Sequence, residues 1–367
     1  MWFLKVCFLV TFSLTLSPFA EARVVAIDGV SGFVGSSFLS ELQAEAQVKA
    51  TCFDCLAKPL GDFEYFEGSN YDPSHLVSFL DGVDLFYQLG ALASVEPRFT
   101  LQQYILTNAL SGYLGSRINK SMTLVVASSI AVTDVKVDQD LEQWIQKFLL
   151  RFTYSDQQMR DLSLTSITED LDNFIANFPP PNLKETLYYG LSKLLLERIL
   201  FKSSQDRSGS IFLVRPALII GENIHFRQGS SVVKSIMDAL STELTYELWN
   251  RNNCFTPVHR LKSLMKFLGS NEHLFSRFEV LDSGCVPLNH HDLGNLILKK
   301  MENAKTDHLK YVEYSNFDRE LITQYDHRVR EFYPNLKDVN DSIDVMVKTY
   351  KIMHFPPPQP HPAASLF

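Results

Sequence analysis

Between Val24 and Gln47 the chain carries a short apolar run, three glycines at fixed spacing, and a helix-forming stretch. Val24-Val25-Ala26-Ile27 has strand character and leads through Asp28 into Gly29-Val30-Ser31-Gly32-Phe33-Val34-Gly35. Ser36 to Gln47 then reads as a helix. A strand, a glycine turn and a helix in this order leave few folds open. They aim backbone N–H groups and a helix N-terminus at one point, where a pyrophosphate is stabilised. Glycines at this spacing occur in many loops, so the flanking strand and helix carry the argument.

The next strand is read at Val48 to Phe53 and ends at Asp54, 25 residues after Gly29. A carboxylate there accepts hydrogen bonds from both hydroxyls of an adenosine ribose and repels a 2′-phosphate, which favours NAD over NADP. Further along, Tyr189-Gly190-Leu191-Ser192-Lys193 opens a helical run to Phe201. A tyrosine with its ordinary pKa near 10 is a poor base at neutral pH. A lysine four residues on shares its helix face and brings an ammonium beside the phenol, favouring phenolate. Ser128-Ser129 follows the strand-like Thr123 to Ala127 and supplies a hydroxyl to orient a substrate oxygen.

Together these segments resemble the extended short-chain dehydrogenase/reductase family, which contains NAD-dependent sugar epimerases and dehydratases. The likeness rests on the Gly29–Gly35 spacing, Ser128-Ser129, Tyr189-x-x-Ser192-Lys193, and Ile211 to Pro216 followed by Gly221. It spans Arg23 to Gly221 well and the residues beyond Gly221 only loosely. It implies a doubly wound parallel sheet (a Rossmann fold) with a smaller C-terminal α/β substrate domain. The implied catalytic set is Ser129, Tyr189 and Lys193. The implied NAD-binding set is Gly29, Gly32, Phe33, Val34, Gly35, Asp54, Leu89, Tyr189 and Lys193. No metal site is expected. Asn108 resembles the family's helix asparagine and reads equally well as a solvated helix residue. Ser69-Asn70 stands where the family often has an acidic residue near the adenine. The family's dehydratases carry an Asp-Glu pair after the serine. Ile130 and Ala131 stand there and cannot transfer protons, which disfavours elimination.

Alternating strand and helix patterns run from Val24 to Arg215, with further strands at Phe63 to Glu67 and Asp84 to Leu89. Pro73 to Leu80 and Leu101 to Ile118 read as helices. Residues 133–182 interrupt the alternation, leaving Ser129 and Tyr189 60 residues apart. Helices at Leu141 to Phe152 and Ile167 to Phe178 are expected in this insertion, before Pro179-Pro180-Pro181 imposes an extended segment. The expected organisation is residues 1–22 as a signal peptide or short anchor, 23–221 for NAD binding, 222–350 for the substrate and 351–367 as a proline-rich tail. Arg227, Arg251, His259 and Arg260 are candidates to hold a diphosphate. The family's acidic residue is missing at Arg260.

The formal net charge of −8 and the absence of any basic block argue against nucleic-acid binding. Five cysteines make no disulfide framework in 367 residues, and Cys52-x-x-Cys55 lacks a second ligand pair for zinc. At the N-terminus an apolar Val6 to Leu16, a break at Ser17-Pro18 and the small residues Ala20 and Ala22 describe a cleavable secretory signal. Cleavage after Ala22 implies export. The alternatives are an uncleaved anchor or a cytoplasmic chain starting near Arg23. The expected activity is NAD-dependent epimerisation or dehydrogenation of a sugar or nucleotide-sugar hydroxyl. An apolar, steroid-like alcohol or ketone is the second possibility and a non-catalytic dinucleotide-binding scaffold the third. By resemblance a homodimer is expected, paired through the helices containing Leu101–Ile118 and Tyr189–Phe201.

Overall fold

The computed structural model describes residues 23–52, 63–93, 99–222, 232–241, 245–249, 252–301, 309–312 and 326–354. The expected signal segment, Asp54, Cys55, Arg227, Arg251 and the tail from residue 355 lie outside them.

The first half alternates as its hydrophobic pattern requires. β1 (Val24–Ile27), α1 (Phe33–Leu42), β2 (Gln47–Cys52), β3 (Glu64–Glu67), α2 (Pro73–Phe79) and β4 (Leu85–Gln88) follow one another. α1 starts three residues earlier than the sequence pattern suggests, because Gly32 takes the extended cap conformation. Next come α3 (Leu101–Tyr104), a π-helical turn (Ile105–Leu110), α4 (Ser111–Ile118) and β5 (Thr123–Ala127). The insertion holds α5 (Gln139–Phe152), α6 (Asp156–Arg160) and α7 (Leu164–Asn177), and the chain re-enters the core with α8 (Tyr188–Ser204) and β6 (Ile211–Arg215).

β7 (Leu218–Ile220), α9 (Val232–Ser241), β8 (Tyr246–Trp249) and β9 (Asn252–Pro257) lead to α10 (Val258–Ser270) and β10 (Phe278–Asp282). β11 (Val286–Asn289), α11 (His290–Leu298), β12 (Leu309–Val312) and α12 (Leu336–His354) complete the set. The main sheet has seven strands in the order β10-β6-β5-β4-β1-β2-β3. All its pairings are parallel, with Val25 opposite Val48 on one side and Leu85 on the other. Chain order reverses between β1 and β4, so the carboxyl ends of those strands open a crevice.

The seventh strand, β10, comes from beyond residue 221. α10 also packs on this sheet, placing Leu261, Leu264, Met265 and Leu268 against Val25, Ile27, Tyr87 and Val125. The first unit is therefore not confined to 23–221. A smaller core gathers α9, α11 and α12 around Ile236, Leu293, Ile297, Val339 and Met346. β9 there pairs antiparallel with β11 and parallel with β7.

Cys254 and Cys285 form a disulfide across a sequence separation of 31. It staples β9 to the turn before β11. Nothing in the sequence spacing marked it. A cross-link closing a loop of 31 residues contributes about 3–4 kcal/mol in the chain-entropy account. Adding a phosphine reductant is therefore expected to lower the urea midpoint of unfolding clearly. An unchanged midpoint together with two titratable thiols would mean that the bridge does not form.

The insertion packs over α4 and α8. Trp144, Phe148, Phe152, Ile167, Leu171 and Phe174 share one core with Leu110, Tyr113, Leu114, Leu191, Leu195 and Leu196. The Tyr113 hydroxyl donates to the Tyr154 carbonyl at 3.1 Å and accepts from the Tyr154 N–H at 2.6 Å. Arg117 pairs with Asp156, which also accepts from Lys120 at 2.7 Å. α4 is buried from Ser111 to Arg117, and α8 from Gly190 to Glu197. Direct pairing of these helices across a two-fold axis would have to displace α5, α6 and α7.

Candidate active site

The crevice between β1 and β4 is built by close backbone contacts. Gly29 adopts φ +67°, and a Cβ there would lie 2.6 Å from the Gly90 nitrogen. A Cβ on Gly35 would lie 2.2 Å from the Gly29 carbonyl oxygen, so the start of α1 rests directly on the turn. The Gly32 N–H donates to the Gly29 carbonyl at 2.8 Å, and Ser36 makes the first helical bond to the Gly32 carbonyl at 2.9 Å. Phe33, Val34 and Gly35 thus supply the leading N–H groups of α1. The helix has no side-chain cap and no acidic residue in its first turn. That leaves its positive end suited to an anion.

Below the turn, Asp28 is 1% exposed. Its carboxylate accepts from the N–H groups of Leu89 at 2.5 Å and Gly90 at 2.6 Å, and from Asn70 Nδ2 at 3.0 Å. Burial raises the Asp28 pKa, opposed by Asn70, Gly90, Leu89 and the Lys193 charge. Asp28 fixes the loop after β4 against the glycine turn, a role the sequence reading missed. The Leu89 N–H is engaged by this carboxylate, and its half-buried side chain packs against the core that α10 covers. Asn70 Oδ1 is buried without a hydrogen-bond partner among the described residues. An orphaned acceptor beside Asp28 and Gly90, next to the glycine turn, is a group that a donor on a bound dinucleotide can satisfy.

The proposed catalytic side chains converge at the carboxyl end of β5. Ser129 caps a 3₁₀ turn, Ile130–Asp134, where its Oγ accepts from the Ala131 N–H at 3.1 Å. Tyr189, a half-buried residue, brings its phenol up to Ser129. Burial raises the phenol pKa above its ordinary value, the nearby Ser129 hydroxyl lowers it and the neighbouring Tyr104 raises it. Lys193 is 3% exposed, and its ammonium donates to the Ala127 carbonyl at 2.7 Å. Burial pulls the Lys193 pKa down to about 8, against the charges of Asp28 and Glu197. The expectation that the Lys193 charge, together with oxidised nicotinamide, favours phenolate has to be met against burial here. Burial opposes ionisation of Tyr189, and the ammonium is directed at a carbonyl. Phenolate formation then calls for a further positive charge in the crevice.

Asn108 is buried, which separates it from a solvated helix residue. Its Oδ1 accepts from the Leu92 N–H at 2.8 Å, and its Nδ2 donates to Ser192 Oγ at 3.0 Å. It ties the loop after β4 to the helix carrying Tyr189 and Lys193, from within the π-helical turn. Such turns recur at functional sites. One more residue, Glu197, escaped the sequence reading. Glu197, 6% exposed, accepts from Ser128 Oγ at 2.7 Å and from Arg215 Nε and Nη2 at 2.8 and 2.6 Å. Its place four residues beyond Lys193 was the available signal.

Two of the four basic candidates for a diphosphate, His259 and Arg260, pair with an acidic side chain. His259 Nε2 lies 3.3 Å from Asp338 Oδ1, and Arg260 Nη2 lies 3.0 Å from it, tying α10 to α12. Lys262, 3% exposed, binds Glu222 at 2.6 Å and Glu41 at 2.7 Å, while Glu222 also accepts from Ser37 at 2.8 Å. That cluster joins α1 to the start of the second half.

No family model matches the chain. No curated protein matches it by sequence. Solved structures match closely in shape. MoeE5 in complex with UDP-glucose and NAD is 16% identical with a TM-score of 0.61, covering 90% of this chain and 99% of that one. The UDP-glucose 4-epimerase of Thermotoga maritima, solved with UDP-glucose, is 14% identical with a TM-score of 0.64 over 90% and 99%. The ADP-L-glycero-D-manno-heptose-6-epimerase of Helicobacter pylori is 15% identical with a TM-score of 0.62 over 90% and 97%. The chain thus has the fold of extended short-chain dehydrogenase/reductase epimerases, a seven-stranded Rossmann-type sheet with flanking helices.

Proposed function

We propose that the protein is an NAD-dependent epimerase or dehydrogenase acting on a sugar or nucleotide-sugar hydroxyl. One observation carries the reading: the Tyr189 phenol faces Ser129 one helical turn before the buried Lys193, beside a crevice floored by an uncapped glycine turn. Bound NAD would supply hydride acceptance and the positive charge of its oxidised ring. The N–H groups of Phe33, Val34 and Gly35 would hold its pyrophosphate, Asn70 its adenine edge and Lys193 its nicotinamide ribose. Tyr189 would move the proton of the reacting hydroxyl, and Ser129 would orient that oxygen. Solved neighbours that are nucleotide-sugar epimerases support the same class.

Purified protein incubated with NAD and a panel of UDP- and ADP-sugars is expected to interconvert a pair of epimers without net NADH production. Stoichiometric turnover of an apolar ketone with NADH, and none of any nucleotide sugar, would replace this reading with the apolar one. The pairing of His259 and Arg260 with Asp338 favours that second reading, because a carboxylate already holds two of the four basic candidates for a diphosphate.

Cofactor choice is proposed to rest on Asp54. Asp54→Ser is expected to weaken NAD binding and improve NADP binding, narrowing the preference at least about tenfold through loss of the ribose bonds and of the repulsion. Tighter binding of NADP by the unaltered chain would remove Asp54 from the ribose.

Export with cleavage after Ala22 is likewise proposed. A disulfide in the second half fits an oxidising compartment. Among the described residues no helix is long and apolar enough to cross a membrane. Protein from its native source should begin at Arg23 and lie outside the cytosol; full-length protein in the cytosol would refute export. A homodimer, if formed, is proposed to use the outward face of the insertion, where Leu150 and Phe178 are exposed. Light scattering that gives a monomer mass at micromolar concentration would end that proposal.

A further inference from the structure

Tyr189, Lys193 and Glu197 follow one another at four-residue steps along α8, which puts them on one face of the helix. Beyond the tyrosine and lysine that face ends in a carboxylate with three hydrogen bonds from two separate strands. Ser128 Oγ, beside the candidate catalytic Ser129, donates to Glu197 Oε1 at 2.7 Å. Arg215, the last residue of β6, holds both carboxylate oxygens in a two-point bond at 2.8 and 2.6 Å. Ser128 is itself fastened to β6, its N–H donating to the Val214 carbonyl at 2.8 Å. The carboxylate therefore stands where α8, β5 and β6 meet, and Lys193 stands one turn away from it.

We propose that Glu197 is a positioning residue that clamps α8 to the ends of β5 and β6 and, alongside Asp28, supplies counter-charge for the buried Lys193 ammonium one turn away. The proposal rests on the reading of Tyr189 and Lys193 as the working pair. The groups around the ammonium are few. The Ala127 carbonyl accepts its hydrogen bond from β5, Asp28 faces it from the end of β1, and Tyr189 and Glu197 lie on its own helix. Asp28 already accepts three hydrogen bonds from Leu89, Gly90 and Asn70. Glu197 is shared with Arg215, which sits on its far side and is the more exposed partner. Rigid attachment matters as much as charge. Ser129 and Tyr189 face each other from two elements, so α8 sliding along β5 would part them. A carboxylate tied to Ser128 resists that motion.

The two sides of the ion pair make opposite predictions for Lys193. Glu197→Gln keeps the shape and removes the negative charge, so Lys193 should give up its proton more readily. Arg215→Gln removes the cation that partly neutralises Glu197, so Lys193 should hold its proton more tightly. The measurement is the pH titration of the Lys193 signal in protein labelled with ¹³C at lysine Cε, assigned with Lys193→Arg. Glu197→Gln is expected to raise the proton dissociation constant about tenfold or more, and Arg215→Gln to lower it severalfold. Shifts in the same direction, or no shift in either variant, would overturn the proposal, because mere loosening of the helix would move both alike. If a single variant fails to fold, the double variant E197Q/R215Q leaves neither charge unpaired and carries the test. Lys193 should still titrate below its unaltered value there; titration at or above that value would overturn the proposal. The titration needs no substrate, so it stands apart from failure to find turnover. Where turnover is found, the high-pH limb of kcat/KM should move to lower pH in Glu197→Gln by the same factor.

Discussion

Tyr189→Phe is expected to lose about 10³-fold or more in turnover, within the range for removing a positioned acid/base, while NAD binding changes by no more than about threefold, since the phenol is one cofactor contact among many and the N–H groups of Phe33, Val34 and Gly35 with Lys193 carry the rest. The substitution removes one oxygen from a half-buried ring that also packs 6.3 Å, centroid to centroid, from Tyr104. The ring stays, so the fold should stay. The group it faces is Ser129, which keeps its backbone bond from Ala131. Stopped-flow or product chromatography for turnover, with calorimetry for NAD, separates the two quantities. Turnover within tenfold of the unaltered enzyme would exclude Tyr189 as the proton carrier. Tyr188 would not be a ready substitute, because Ser192 stands four residues beyond it.

The second large effect is expected at Gly35. A single methyl there would fall 2.2 Å from the Gly29 carbonyl oxygen and 2.7 Å from its carbon, both backbone atoms of the turn. Neither can rotate away. α1 must lift, or the turn must open, and either change moves the N–H groups of Phe33 and Val34 from a shared focus. Gly35→Ala is expected to weaken NAD binding about 100-fold or more and to cost about 1–3 kcal/mol of stability, as overpacking of a close contact does. Calorimetric titration and a urea melt measure the two. NAD affinity unchanged in a stably folded variant would mean that the cofactor does not sit on this turn.

Much of the fold was legible because parallel strands buried on both faces write themselves as apolar runs between turn residues. β1, β5 and β6 were recognisable from the sequence for that reason. The helices of the insertion were also legible, from apolar residues at helical spacing in Leu141 to Phe152. The π-helical turn at Ile105–Leu110 was not. Widening one turn leaves the surrounding residues as helical in pattern as before, and the sequence reads as one continuous helix. β10 was missed as a partner of β6 because the intervening 62 residues hold another sheet and helix set. Local pattern does not encode which sheet a strand joins.

The candidate site divides along the same line. Tyr189 and Lys193 are separated by one helical turn, and local geometry alone brings them together. Ser129 joins them through tertiary packing, yet its type and its place after a strand left a trace. Asp28 and Glu197 left almost none. Each is one acidic residue in a run of plausible alternatives, and its importance comes from donors supplied by Leu89, Gly90 and Asn70, or by Ser128 and Arg215. His259 and Arg260 show the converse. Their types suited an anion, but Asp338, 79 residues after His259, claims them both. Sequence reports what a side chain can bind, and the fold decides what reaches it.

The cover over α4 and α8 has a thermodynamic order. Because α5, α6 and α7 belong to the chain whose helices they shield, their docking is unimolecular. Its effective concentration is set by the connections at either end of the insertion and does not fall when the protein is diluted. A helix pair shielded by a second subunit would instead become less stable as protomers grow scarce. For the helix that carries Tyr189 and Lys193, this means that the apolar shield remains in place down to single molecules. Docking of the insertion should accordingly contribute as much to the melting temperature at nanomolar as at hundred-micromolar protein, and any rise with concentration would report the contact between copies proposed on the insertion's outward face.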